Sequence, residues 1–130
     1  MDAQEILKRY AAGERDFSRV NLIQVCLTNA NLIGAHLIGA HLIGADLRGT
    51  KLTQAHLNQA KLNQAKLSDS EMIQVCLINA EMIDSDLSGA DLRGADLSGA
   101  KVGSGDRLLV KLTGTKLSGA ILPDGSIYQN

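Results

Sequence analysis

A chain of 130 residues with a formal charge of −1 and 21% charged residues has the size of one domain, and its balance excludes both a basic nucleic-acid binder and a charge-rich disordered tail. Its three aromatic residues, Tyr10, Phe17 and Tyr128, are too few and too scattered for a base-stacking platform, so no nucleic-acid partner is expected. No apolar run approaches the roughly 18 residues of a membrane span, and Asp2, Glu5, Lys8 and Arg9 stand where a signal peptide needs an apolar core; no membrane association and a cytoplasmic location are expected.

From Asp2 to about Ala12 the chain reads as a helix, with Asp2 as N-cap, Glu5 at capping-box spacing and Gly13 as the stop, so residues 2–13 form an N-terminal cap. Ile6, Leu7, Tyr10 and Ala11 make an apolar stripe suited to cover the end of a larger core. Phe17 is in phase with the Leu positions of the repeat that begins at Val20 and should start the stack beneath that lid.

From Val20 to Val102 a five-residue unit of the form small, polar, Leu, x, x recurs 17 times without a break. Apolar spacings of two and three fit neither helical periodicity nor strand alternation, so the repeat itself defines the fold. The pattern resembles the pentapeptide-repeat family, and Ala45-Asp46-Leu47, Ala90-Asp91-Leu92 and Ala95-Asp96-Leu97 match its consensus. The resemblance implies an all-β solenoid, a right-handed quadrilateral β-helix of about five 20-residue coils over residues 17–122, with the small residue and the Leu pointing inward. The expected core ladder is Leu22, Leu27, Leu32, Leu37, Leu42, Leu47, Leu52, Leu57, Leu62, Leu67, Met72, Leu77, Met82, Leu87, Leu92, Leu97, Leu112 and Leu117. The whole of 1–130 then forms a single domain. Within the family, the chain resembles small cyanobacterial members with a helical N-terminal cap.

Charge supports the 20-residue coil independently. At that spacing the residues preceding Leu form seven opposite-sign pairs, Asp46–Lys66, Lys66–Asp86, Lys51–Glu71, Lys61–Glu81, Glu81–Lys101, Asp91–Lys111 and Asp96–Lys116, against two like-signed ones. Spacings of 15 and 25 do less well.

The last position of each unit is Gly at Gly34, Gly39, Gly44 and Gly49, which favours type II turns there; Gln54, Gln59, Gln64, Asp69, Gln74 and Asp84 point instead to type I turns in the middle coils. Cys26 and Cys76 fall on opposite faces about 12 Å apart along the axis at ~4.8 Å per coil, too far for a disulfide. After Val102 the pattern fails over 103–109, where the chain either bulges within the coil or loops out and shifts later units by one face. It resumes at Val110 and stops at Pro123-Asp124-Gly125, so that 123–130 forms a C-terminal cap, with Ile127 and Tyr128 as a second lid.

A tube filled with Leu and Ala leaves no cleft for a substrate, so no enzyme activity and no cofactor are expected. The spacing Gly44 to Lys51 lacks the Lys-Ser/Thr that a phosphate loop places directly after its second Gly. The function expected is that of a structural or interaction module for a protein partner. Its candidate contacts are corner isoleucines, Ile23, Ile33, Ile38 and Ile43 foremost, although such residues can also stack on one another and thicken the core. Two alternatives compete. Some family members resemble duplex DNA and act on type II topoisomerases, but Arg48, Lys51, Lys61, Lys66, Arg93, Lys101 and Arg107 interrupt the acids a mimic needs. The period also stacks His36, His56, Cys76 and Asp96 in one outward column, a candidate for a weak surface metal site through His36, His56 and Cys76 against the simpler reading of a polar ladder.

Overall fold

The computed structural model describes residues 1–129; the part of the C-terminal cap expected at Asn130 lies outside them. Four columns of one-residue parallel bridges define the architecture: Asp16–His36–His56–Cys76–Asp96–Ile121, Asn21–His41–Lys61–Glu81–Lys101, Cys26–Asp46–Lys66–Asp86–Lys111 and Asn31–Lys51–Glu71–Asp91–Lys116. Each rung up to Glu81–Lys101 joins residues 20 apart. The chain is therefore a four-sided β-helix with one pentapeptide per side.

The unit explains itself through its hydrogen bonds. The Leu N–H donates to a carbonyl in the next coil, as Leu57 does to Cys76 (2.7 Å); the second residue's N–H donates back to the previous coil, as Lys51 does to Ala30 (2.9 Å). The first residue closes the corner within its own coil, as Ala60 does onto Leu57 (3.0 Å), and the fifth donates onward, as Gln59 does to Ile78 (2.9 Å). Only the fourth N–H is left over, and an Asp or Asn at the second position accepts it: Asn21 from Ile23, Asp46 from Arg48, Asp86 from Ser88, Asp96 from Ser98. This is the physical reason for Asp or Asn before Leu.

That fifth-position bond needs the corner residue at positive φ. The glycines adopt it, but so do Gln54 (61°), Gln59 (60°), Gln64 (63°), Asp69 (58°), Gln74 (58°) and Asp84 (64°). The type I turns expected in the middle coils are thus corrected. All corners of the unbroken repeat share the conformation a type II turn requires, because an N–H turned off the axis would lose its partner in the next coil.

Inside, every ladder residue from Leu22 to Leu97 is buried. At roughly 1.5–3 kcal/mol per buried Leu or Met, this stack is the main stabilising contribution. Thr50, Ser70 and Ser85 fill small inward positions without loss, since their hydroxyls donate to Leu47, Leu67 and Met82 carbonyls (2.7 Å each). Leu112 and Leu117, expected in the core, are only half-buried because no coil lies above them.

Helix α1 (Ala3–Ala11) closes the N-terminal end. Asp2 accepts from the Glu5 N–H (2.8 Å), while the Glu5 carboxylate pairs with Arg9 (2.7 Å) instead of completing the capping box. Ala3, Ile6 and Tyr10 face the core; Leu7 and Ala11, placed in the stripe by spacing, are exposed. The lid is fastened by the Tyr10 hydroxyl donating to the Ile33 carbonyl (2.7 Å).

At the other end, residues 103–108 leave the column as a hairpin, β1 (Gly103–Ser104) against β2 (Arg107–Leu108), and Leu109 returns with its N–H on the Val102 carbonyl (2.8 Å). Of the two arrangements open for 103–109, the chain takes the loop-out. The rungs above it become Asp86–Lys111, Asp91–Lys116 and Asp96–Ile121, replacing the expected Asp91–Lys111 and Asp96–Lys116 pairs. The tail folds back, with the Tyr128 N–H on the Ala120 carbonyl (2.8 Å), but it lies along one side and leaves Ile127 exposed. It is an edge strap and not the second lid expected of it.

Candidate functional site

Two surfaces result from this geometry: the sides of the column and its open end. On the sides, the fourth-position residues stack at intervals of one coil. Ile23 lies below Ile43, Ile33 stands on the opposite side, and Ile38 lies between them. Ile23 (48%), Ile33 (39%) and Ile38 (37%) are exposed, whereas Ile43 is half-buried. The four candidates therefore spread over three corners of the first two coils and do not form one patch. Farther up, Ile73, Ile78 and Ile83 are half-buried beside Thr53, Asn58 and Asn63 of the coil below.

The titratable column is present as the period requires, and Asp16 extends it downward. The His36 and His56 rings meet edge to face with centroids 4.8 Å apart. Among the described residues no group of three His, Cys, Asp or Glu side chains converges closely enough to hold a metal ion. Cys26 and Cys76 are free thiols.

Charges alternate along two of the other columns, Asp46–Lys66–Asp86–Lys111 and Lys61–Glu81–Lys101, and in the fourth the adjacent Glu71 and Asp91 are flanked by Lys51 and Lys116, so these sides carry no continuous acidic stripe. The close ion pairs are not between coils, however. Arg48 reaches Asp46 (2.6 Å) and Arg93 reaches Asp91 (2.7 Å) within their own units, and with the exposed Glu5–Arg9 pair these are the ion pairs among the described residues. Hydrogen bonds from Arg48 and Arg93 hold the Asp46 and Asp91 carboxyls below their ordinary range, and hydrogen bonding from Ser88 does the same for Asp86.

The open end was not expected from the sequence. It holds a cleft of about 360 Å³ floored by Leu87, Leu92 and Leu97 and walled by Val102, Leu108, Val110, Leu112, Leu117, Leu122, Pro123 and Asp124. A column with a lid at one end only must end in such a recess. Among the described residues no helix is long and apolar enough to cross a membrane.

The pentapeptide-repeat family model matches residues 16–54, 47–82 and 75–102, with eight copies. A 33-residue stretch is 70% identical to an uncharacterized protein of Synechocystis, covering 25% of this chain and only 20% of that relative. Among solved structures, a pentapeptide repeat protein from the cyanobacterium Cyanothece is 23% identical with a TM-score of 0.72 over 96% of this chain and 98% of that one. One from the Arabidopsis thaliana thylakoid lumen is 31% identical with a TM-score of 0.67 over 69% of this chain and 63% of that one. Since the family model takes in most of the unbroken repeat and the bridges give its 20-residue coil, the chain belongs to the pentapeptide-repeat family.

Proposed function

We propose that the column is a rigid, non-enzymatic module that binds a protein partner through its outer surface near the N-terminal lid. The observation that carries this reading is the exposure of Ile23 and Ile38 at neighbouring corners beside the lid, on a scaffold whose interior already buries its Leu ladder without them. Apolar side chains held outward on a rigid frame cost little entropy on binding, which suits an interaction surface. A mimic of duplex DNA is disfavoured by the interspersed cations, which set Lys66 between Asp46 and Asp86 and place Lys61 and Lys101 on either side of Glu81.

The test compares wild type with Ile23→Asp and Ile38→Asp by affinity capture from the native host and by thermal melting. The expected result is an unchanged melting temperature with loss of the proteins that wild type retains. A large drop in melting temperature would assign these isoleucines to the core, and unchanged capture would remove them from the binding surface.

A further inference from the structure

The coil beneath the open end has five backbone groups paired upward: the N–H groups of Leu87, Gly89 and Leu92 donate to Lys111, Thr113 and Lys116 carbonyls, and the Ser85 and Ala90 carbonyls accept from Lys111 and Lys116. The equivalent groups of the last coil are the N–H groups of Leu112, Gly114 and Leu117 and the carbonyls of Val110 and Thr115. None of them has a backbone partner among the described residues. The tail strap covers only the neighbouring side, through Gly119, Ala120 and Leu122. An open β edge thus runs along two sides of the cleft, over half-buried Leu112 and Leu117.

Charge specifies what fits there. Lys111 and Lys116 end their columns over Asp86 and Asp91, are exposed, and take part in no ion pair among the described residues. Every lower Lys in those two columns has an acid on the coil above it: Lys51 has Glu71, and Lys66 has Asp86. A second copy docking end to end would bring its own Lys111 and Lys116 toward these, a like-charge contact. The other end of a second copy is closed by α1, where Ile6 is fully buried.

We propose that this end is a docking site for an extended acidic segment of a protein partner, patterned small–Asp/Glu–Leu at five-residue spacing, which adds as the next half-coil. The segment's acidic residue donates its N–H to Val110 and accepts from Leu112, and the next acid does the same at Thr115 and Leu117. Its carboxylates lie above Lys111 and Lys116, and its Leu side chains enter the cleft. This is strand addition, with backbone bonds giving affinity and the lysines with the cleft giving selectivity. It stands independently of the lateral isoleucines.

The probe is a synthetic decapeptide with the sequence of Ser85 to Gly94, the stretch on which Lys111 and Lys116 already rest. It is titrated into the 130-residue chain to about 1 mM while backbone amide resonances are followed, since short unstructured strands bind weakly. Saturable shifts are expected at Leu112, Gly114 and Leu117. Replacing both peptide aspartates by Asn, or Lys111→Gln with Lys116→Gln, should weaken binding roughly tenfold. Should the double Gln variant melt differently from wild type, Lys111→Glu with Lys116→Glu against a peptide with Lys at both acidic positions supplies the reversed pair, and recovered binding supports the site. Absence of shifts at these amides, shifts indifferent to the charge changes, or a dimer by sedimentation that already protects them would overturn the proposal.

Discussion

Asp86 bridges to Lys111, 25 residues along the chain, where every rung before it joins residues 20 apart. The five extra residues are held entirely outside the column by the β1–β2 hairpin, and the ladder closes above it without a gap, with the Lys111 N–H on the Ser85 carbonyl (3.1 Å). The hairpin is therefore an insertion into a continuous solenoid and not a break between two.

It follows that the hairpin is dispensable for folding. Deleting Gly103 to Arg107 leaves Val102-Leu108-Leu109-Val110, the correct phase for one pentapeptide, with Leu109 at a corner that requires positive φ. Combined with Leu109→Gly, the deletion should keep stability within about 1 kcal/mol of wild type, because a surface loop contributes little beyond its closure entropy. Chemical denaturation checks this. A loss of several kcal/mol would mean that the hairpin supports the last coil.

The regular part of this architecture was legible because one pattern fixes both chemistry and geometry: Leu at every fifth position names the core, and the alternation Lys51–Glu71, Lys66–Asp86, Glu81–Lys101 names the coil. The insertion was ambiguous for a physical reason. Acids recur every five residues at Asp86, Asp91 and Asp96, so Lys111 and Lys116 find an acid below them whether or not the chain slips by one side. The half-burial of Leu112 and Leu117 could not be read either, since burial depends on a layer above them and not on their own identity. The corner isoleucines were legible as a feature of the fourth position, but their dispersal over three corners, and the half-burial of Ile43, appear only when coils are stacked.

The corner conformation carries a measurable penalty. Gln59 and Gln64 sit at φ of 60° and 63° and make no side-chain hydrogen bond among the described residues, whereas Gln54 and Gln74 bond each other (3.1 Å). Gln59→Gly and Gln64→Gly should each stabilise by about 0.5–1 kcal/mol, since an L side chain is strained in the left-handed region and Gly is not. Gln74→Gly should gain less. Destabilisation by Gln59→Gly in urea melts would contradict the positive φ at these corners.

Acid sensitivity should come from the second-position aspartates. Asp86 and Asp91 are held below the ordinary carboxylate value of 3.8, chiefly by hydrogen bonds from Ser88 and Arg93. A depressed folded value means the stabilisation is fully present above the unfolded value and is lost as pH falls through the folded one. Melting temperature should therefore be flat from pH 7 to about 5 and fall below about 4. Asp86→Asn with Asp91→Asn should flatten that fall while lowering the neutral-pH value. An unaltered acid limb in the double variant would place the effect elsewhere.

Asn58 and Asn63 occupy alike positions on two columns, each below an Ile of the next coil, yet they differ in hydrogen bonding. The Asn63 Oδ1 accepts from the Ile83 N–H (2.9 Å), so its amide satisfies a backbone group of the coil above. The Asn58 Oδ1 is buried without a hydrogen-bond partner among the described residues, between Ile38 and Ile78. A buried acceptor left unpaired costs about 1–3 kcal/mol, and an aliphatic side chain there removes that cost while extending contact with both neighbours. Asn58→Ile should thus stabilise by about 1 kcal/mol, whereas Asn63→Ile should destabilise by a similar amount, because it strands the Ile83 N–H. Urea melts of the two variants read opposite signs if the hydrogen bond decides the matter. The same sign for both would show that side-chain packing along the column outweighs it.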